Sequence, residues 1–335
     1  MPRFIRQPRP KNDIKELIKP LGEKTWRGNI WQPIVMNVPK DGETPTPPVS
    51  PTPTPSNTPF PTPTPTPTPI PFDSDAAAYL SELETQGYTA TTSERTYVDT
   101  FYKGLKSNNL YDRLISMYLH IGGSAATHAV DGITPGGSLD ITFGGGVTYS
   151  LSGTTFDGIN GYGDTNYTQT SLTDDNLSIG AFLSVATTSD SGAVMGARNN
   201  TVPTSATQII PYQTFVGTTD DGFYQAQNSG PNYVLVDRTA DAEGTQLGFH
   251  QVSKTGTTQY ASLRQITGTS SVSLTNIINN ANIWIGGRDN SSGADSYTDS
   301  QQQFNYIGES FNIDEMMAFE TLVYNLQDSL GRAPY

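Results

Sequence analysis

The chain has 335 residues, a hydrophobic fraction of 34%, a formal net charge of -13 and no cysteine. The missing thiols exclude disulfide staples and thiolate metal sites, and no run reaches the ~18 apolar residues that a bilayer-spanning helix needs, so no membrane insertion is expected. The charge is divided: residues 1–40 hold nine Lys/Arg against three Asp/Glu, whereas residues 73–335 hold ten against twenty-seven. An acidic body repels a phosphate backbone, and nucleic acid is not the expected partner.

In chain order, residues 1–40 read as a basic, extended arm. Prolines at 2, 8, 10, 20, 33 and 39 limit any helix to a turn or two around Asn12 to Ile18 and leave the remainder extended. The opening MPRFIRQPRPKNDIKELIKP lacks the apolar stretch of a cleaved secretory leader. Trp26 and Trp31 stand with Arg3, Phe4, Arg6, Arg9 and Arg27 on a segment that cannot fold alone. Large aromatics and arginines in that setting fill pockets on a partner and pair with its carboxylates, so the arm is expected to dock on another protein rather than trail as a disordered tail.

Residues 41–72 form a linker. Between Pro45 and Pro71, thirteen of twenty-seven residues are proline and most of the others threonine. Each proline fixes φ and removes a donor, and each residue before one is pushed to extended geometry, so polyproline II is expected, spanning ~80 Å if straight. Strict Pro-Thr alternation without flanking Arg or Lys is a poor SH3 or WW ligand, which leaves a spacer.

Residues 73–118 read as a helical lead-in. Ser74 or Asp75 caps a helix whose Tyr79, Leu80 and Leu83 share a face, ending at Gly87. Thr91 and Glu94 form a capping box for a second helix carrying Val98, Phe101, Tyr102 and Leu105, ending at Asn108-Asn109. A third, short helix is expected from Leu110 to Met117. Residues 119–335 then change to short alternating segments between Gly, Asn, Asp and Ser clusters, the spacing of two packed antiparallel sheets. LSIGAFLSV places Leu177, Ile179, Ala181, Leu183 and Val185 on one face; VTYSL, NYVLVD, TQLGFH, NIWIGG and FNYIGES are similar. At the end, Asn312 and Glu315 cap an amphipathic helix through Met316, Phe319, Val323, Leu326 and Leu330, stopped by Gly331 and expected to seal the sandwich.

The order of these pieces, with FDGINGYGDTNYTQTSLTDDNLSIGAFLS, IWIGGRDN and the closing FNYIGESFNIDEMMAFETLVYNLQDSLGR, resembles a family of bacteriophage virion proteins carrying a concanavalin A-like, laminin-G-like jelly roll. The resemblance covers roughly Ala76 to Arg332. It implies a mainly β fold, an antiparallel two-sheet jelly-roll sandwich with an N-terminal helical lead-in and a C-terminal amphipathic helix. It also implies a tail, fibre or decoration protein, assembled in the host cytoplasm and present in several copies per particle, with other virion structural proteins as partners.

Catalytic patterns are not found. Glycoside hydrolysis needs two facing carboxylates, yet the only E-x-E, Glu82 and Glu84, lies on a predicted helix where i and i+2 diverge, and Glu243 and Glu309 are isolated. There is no G-x-S-x-G elbow, P-loop or HExxH, and His120, His128 and His250 share no ligand-like spacing. Asp174-Asp175, Asp220-Asp221 and Asp289 to Asp295 offer oxygen ligands of the type calcium takes, but none matches the calcium-loop pattern; they read as solvated turns, and no metal or other cofactor is expected. Loop tyrosines remain, since a flat ring stacks on a pyranose face while Asp or Asn bonds its hydroxyls. Tyr162, Asp164, Tyr167 and Tyr224 are the candidate glycan contacts. The expected protein is thus a non-enzymatic virion appendage that projects its sandwich towards a host-surface glycan; the alternative is a decoration protein that packs on neighbouring subunits and binds no sugar.

Overall fold

The computed structural model describes residues 24–27, 30–33 and 71–334, apart from 169–175, 189–191, 200–204, 216–217, 230–233, 238–245, 257, 264–265, 272–280 and 291–292. Two compact units divide the chain, Met1–Pro67 and Thr68–Tyr335.

In the first unit, β1 (Lys24–Arg27) pairs antiparallel with β2 (Ile30–Pro33), with Trp26 opposite Trp31. This departs from a wholly extended arm. Thr, Trp and Ile favour strand, and the intervening Gly28 and Asn29 are residue types that two-residue hairpin turns favour, so the pairing is local and needs no core. Arg3, Phe4, Arg6, Arg9, the short helix expected near Asn12 and the polyproline spacer lie outside the described residues.

The second unit opens with α1 (Ser74–Thr85), capped by the Asp73 side chain on the N–H groups of Asp75 and Ala76. α2 (Thr92–Ser107) carries the expected Thr91/Glu94 capping box. The expected third helix is replaced: a single 3-10 turn at Tyr111–Arg113 leads into β3 (Leu114–Tyr118). The reason is long-range pairing, since Leu114 to Tyr118 lie along a strand from the other end of the chain, residues 305–308, and the ladder overrides a weak local helix preference. A short helix, α3 (Ala125–Ala129), follows.

The remaining strands are β4 (Thr142–Gly144), β5 (Val147–Ser150), β6 (Gly153–Phe156), β7 (Tyr162–Thr168), β8 (Asn176–Val185), β9 (Met195–Asn199), β10 (Ser205–Phe215), β11 (Thr218–Ser229), β12 (Val234–Asp237), β13 (Gly248–Thr255), β14 (Thr258–Leu263), β15 (Ile266–Ser271), β16 (Asn282–Ile285), β17 (Arg288–Asp289), β18 (Ala294–Asp295) and β19 (Gln301–Gly308). They form two sheets, which makes the body a two-sheet jelly-roll sandwich. One runs β12-β11-β10-β9-β16-β7-β4 with β17 and β18 beside it; the other runs β15-β14-β13-β8-β19-β6-β5, with β3 also on β19. α4 (Ile313–Ser329) closes the unit behind its Asn312/Glu315 capping box.

The body has three layers rather than two. Leu177, Ile179, Ala181 and Leu183 of β8 pack between the sheets with Val194, Ile209 and Ile283, whereas Phe182, Phe249, Phe304 and Tyr306 point out of the opposite face into a second core made by α1, α2 and α4. Period-two alternation therefore serves two cores from one strand. α4 covers that outer face beside α2; Phe319 meets Tyr306 edge-on with centroids 4.7 Å apart. On the outer face of the partner sheet the open part lies at β7 and β16, where Tyr162, Asp164, Asn282 and Trp284 are partly exposed, whereas Ala206, Gln208 and Ile210 of β10 are buried.

Candidate functional site: an aromatic stack on the open sheet

β7 and β16 are neighbours on the open sheet, with Trp284 opposite Asp164 and Ile285 opposite Gly163. Ile283 and Ile285 enter the inter-sheet core, so Asn282 and Trp284 turn outward; buried Thr165 turns Tyr162 and Asp164 outward on β7. Tyr162 and Trp284 stack with ring centroids 4.0 Å apart and planes 8° from parallel. Beside them the Asn282 side-chain amide donates to both oxygens of Asp164, at 3.1 and 3.2 Å. Asp164 also accepts the Asn166 N–H at 2.8 Å, and the Asn282 N–H donates to Asp289 at 2.9 Å, so this polar pair is held from both ends.

A glycine strip lets the stack and its neighbouring loop lie close to the sheet. A Cβ on Gly144 would stand 2.6 Å from the Tyr162 ring, one on Gly145 1.8 Å from the Asn160 carbonyl oxygen, and one on Gly146 1.9 Å from Asp157 Oδ2. No side chain fits there. The loop Asp157 to Gly161 is fixed by its first residue, whose Oδ1 accepts the N–H groups of Ile159, Asn160 and Gly161 at 2.9, 2.9 and 2.8 Å. These backbone bonds hold the Asp157 carboxyl below the usual carboxylate range. Asn160 Oδ1 accepts in turn from Gly146 N–H at 2.8 Å. Tyr297 lies against Gly287; burial and the nearness of Tyr162, Asp157 and Asp295 raise its phenol.

Four aspartates surround this face: Asp157, Asp164, Asp289 and Asp295. Burial works against ionisation of Asp295, but hydrogen bonds from Arg288 and Asn290 outweigh it and hold its carboxyl low. Arg288 is buried and spends its guanidinium on Asp295, at 2.8 Å, and on Gln208.

The expected site residues do not all meet. Tyr162 and Asp164 come together. Tyr167 is buried against the inter-sheet core, because period-two alternation along β7 puts it on the inward side with Gly163 and Thr165, and that burial raises its phenol to about 12. Tyr224 lies on β11, four strand spacings from β7 in the sheet order, or ~19 Å at ~4.8 Å per strand, so it belongs to a different part of the sheet. Trp26, Arg27 and Trp31 fall on the hairpin of the first unit. The residue missed is Trp284. Its signal is present in I-W-I, where two inward isoleucines force the residue between them outward.

The three histidines are accounted for inside the protein. His250 sits on β13 and its Nε2 bonds the Gln246 carbonyl at 2.7 Å. His120 and His128, eight residues apart, meet through Thr154. Gly123 N–H donates to His128 Nε2 at 3.1 Å, which leaves the ring proton on Nδ1, 2.7 Å from Thr154 Oγ1. Thr154 then donates to His120 Nδ1 at 3.0 Å, and His120 Nε2 to Asn305 Oδ1 at 2.7 Å. Asn305 donates to Gln302 at 2.7 Å and Gln302 to the Val194 carbonyl at 3.0 Å. The bonds run in one direction only if both rings are neutral. Burial enforces this, lowering His120 to about 4 and His128 to about 2. Every side chain of the relay is buried, so it braces β6 against β19 and aims no base at a surface.

Among the described residues no group of three or more His, Asp or Glu is arranged to hold a metal, and no helix is long and apolar enough to cross a membrane. No family model matches the chain, and no curated protein matches its sequence. Solved structures similar to it include a Trypanosoma rangeli sialidase in complex with 2,3-difluorosialic acid, at 10% identity and TM-score 0.43 over 70% of this chain and 39% of that one. Domain 4 of a GH43 extracellular arabinanase from Geobacillus stearothermophilus, in complex with arabinotriose, is similar at 12% identity and TM-score 0.41 over 64% of this chain and 98% of that one. Domains LG4-5 of the mouse laminin alpha1 chain are similar at 17% identity and TM-score 0.31, over 48% of this chain and 44% of that one.

Proposed function

We propose that the body is a non-catalytic carbohydrate-binding module carried on a bacteriophage particle, with the Tyr162 and Trp284 stack as its sugar platform. The observation that carries this reading is the partly exposed stack beside the Asp164 and Asn282 pair on a sheet face that α1, α2 and α4 do not cover. Aromatic faces take the apolar C–H face of a pyranose, and a carboxylate with an adjacent amide takes its hydroxyls. Asp157 and Asp295, both shifted down, do not suit the general-acid role in glycoside cleavage, which needs a raised pKa.

The placement on a particle rests on sequence: the resemblance to virion proteins, the stiff spacer, and an arm rich in arginine and tryptophan. In this reading Arg3, Phe4, Arg6, Arg9, Trp26, Arg27 and Trp31 anchor the arm to other virion proteins, and several copies present the body to the host surface. Screening the full-length protein and Trp284→Ala against a panel of host-surface glycans tests the platform. Binding that is lost in the variant supports it; no binding to any glycan, together with tight association to capsid or tail protein, favours a purely structural decoration protein.

A further inference from the structure

Resting on the carbohydrate-binding reading, the ligand can be narrowed. Ile159 is 74% exposed, yet its loop is not free to fold it away: Asp157 grips three backbone N–H groups and Asn160 ties the loop to Gly146. Tyr162 lies over Gly144 while the loop lies over Gly145 and Gly146. Successive Cα atoms are ~3.8 Å apart, so the ring and the loop are placed within about 8 Å of strand. An exposed isoleucine thus stands on a loop of fixed backbone, three residues before the platform residue Tyr162 at the start of β7. The charge around that platform is mainly of one sign, from Asp157, Asp164, Asp289 and Asp295; Arg288 is engaged by Asp295 and Gln208, and the charge of Arg198 acts on Asp295. A carboxylate or sulfate on the ligand meets like charge at this surface, whereas an uncharged sugar does not.

The geometry points to Ile159 as a specificity-determining contact for an uncharged pyranose that carries a methyl group. The stack takes the ring face, Asp164 and Asn282 take hydroxyls, and Ile159 takes the methyl, which a buried apolar contact rewards. Two sugar classes present that chemistry, the 6-deoxyhexoses and the N-acetylhexosamines.

The test is binding of the full-length protein to polymer-displayed rhamnose, fucose, N-acetylglucosamine, glucose and glucuronic acid, repeated with Ile159→Ser. A methyl-bearing sugar is expected to bind about four-fold or more tighter than glucose, the worth of one buried methyl. That preference should collapse in Ile159→Ser while glucose affinity holds, and glucuronic acid should bind weakest. Whether a deoxy or an acetamido sugar binds best identifies the source of the methyl. Equal affinity for glucose and the methyl-bearing sugars, or a preference for glucuronic acid, overturns this inference and leaves carbohydrate binding standing. Binding to none of the five, with other glycans from the host-surface panel still bound, also overturns it; binding to no sugar at all overturns the platform itself.

Discussion

Arg332 donates from Nη1 to the carbonyl oxygen of His120 at 2.8 Å, joining the end of the C-terminal helix to the start of the sandwich across 212 positions of sequence. Its Nη2 reaches the Leu119 carbonyl at 3.1 Å, and its own carbonyl accepts from Gln303 at 2.9 Å. Burial lowers the guanidinium to about 10, so it remains charged at neutral pH. Removing it strands two enclosed carbonyls. Arg332→Ala is expected to cost about 2–4 kcal/mol, read as a lower urea midpoint at unchanged slope.

The histidine relay predicts a specific acid response. As pH falls below about 6.5, an unfolded chain protonates both imidazoles, while the folded protein protonates His120 only near about 4 and His128 near about 2. The unfolded state therefore binds more protons in this window, and stability drops as pH falls from about 6.5 to about 4, by about 1.4 kcal/mol per pH unit for each ring. Asp299, held down to about 2 by bonds from Thr187 and Thr188 that outweigh burial, adds a separate loss below about 4. Urea unfolding at a series of pH values measures the slope, and His128→Gln should flatten it.

Gly145 has φ of +71° and no room for a Cβ against Asn160. Gly145→Ala is expected to destabilise the body by about 2 kcal/mol or more and to displace the Asp157 loop. Thermal unfolding reads the first effect and loss of glycan binding the second, whereas Gly256→Ala, at a left-handed position with open space, should show only the smaller backbone cost.

Tyr162→Ala and Trp284→Ala should each weaken sugar binding about ten-fold or more, at a cost in stability smaller than that of losing a core ring, because both rings are partly exposed and lie outside the two cores. Tyr167→Ala should do the reverse, destabilising by about 3 kcal/mol or more through lost core packing.

Deleting residues 1–40 is expected to leave a folded body that no longer joins the particle, since tryptophan and arginine anchors supply most of the docking energy in such segments. Cosedimentation of truncated and full-length protein with particles measures this, and full incorporation of the truncated protein rules out the anchor.

Much of the body is legible in sequence because its signals are local. Thr91 with Glu94, and Asn312 with Glu315, announce helices within four residues, and both capping boxes form. Leu114 to Tyr118 is harder to read because its strand partner lies almost two hundred residues away. The second core is hidden for a related reason: Phe182 sits among Ser178, Gly180 and Ser184 and gives that face a polar look until three helices cover it. His120 and His128 have no shared spacing to reveal them, since Thr154, on another strand, brings them together.

The three-layer arrangement gives the body a front and a back. The chain enters at the back, where Lys106 grips Asp73 at 2.8 Å and Asp75 at 2.5 Å at the first turn of α1, and the aromatic stack faces out on the other side of two sheets. On the proposed reading, tension along the polypeptide falls on this clamped helix, in a different layer from the Tyr162 and Trp284 stack, so a pull from behind leaves the stack undistorted.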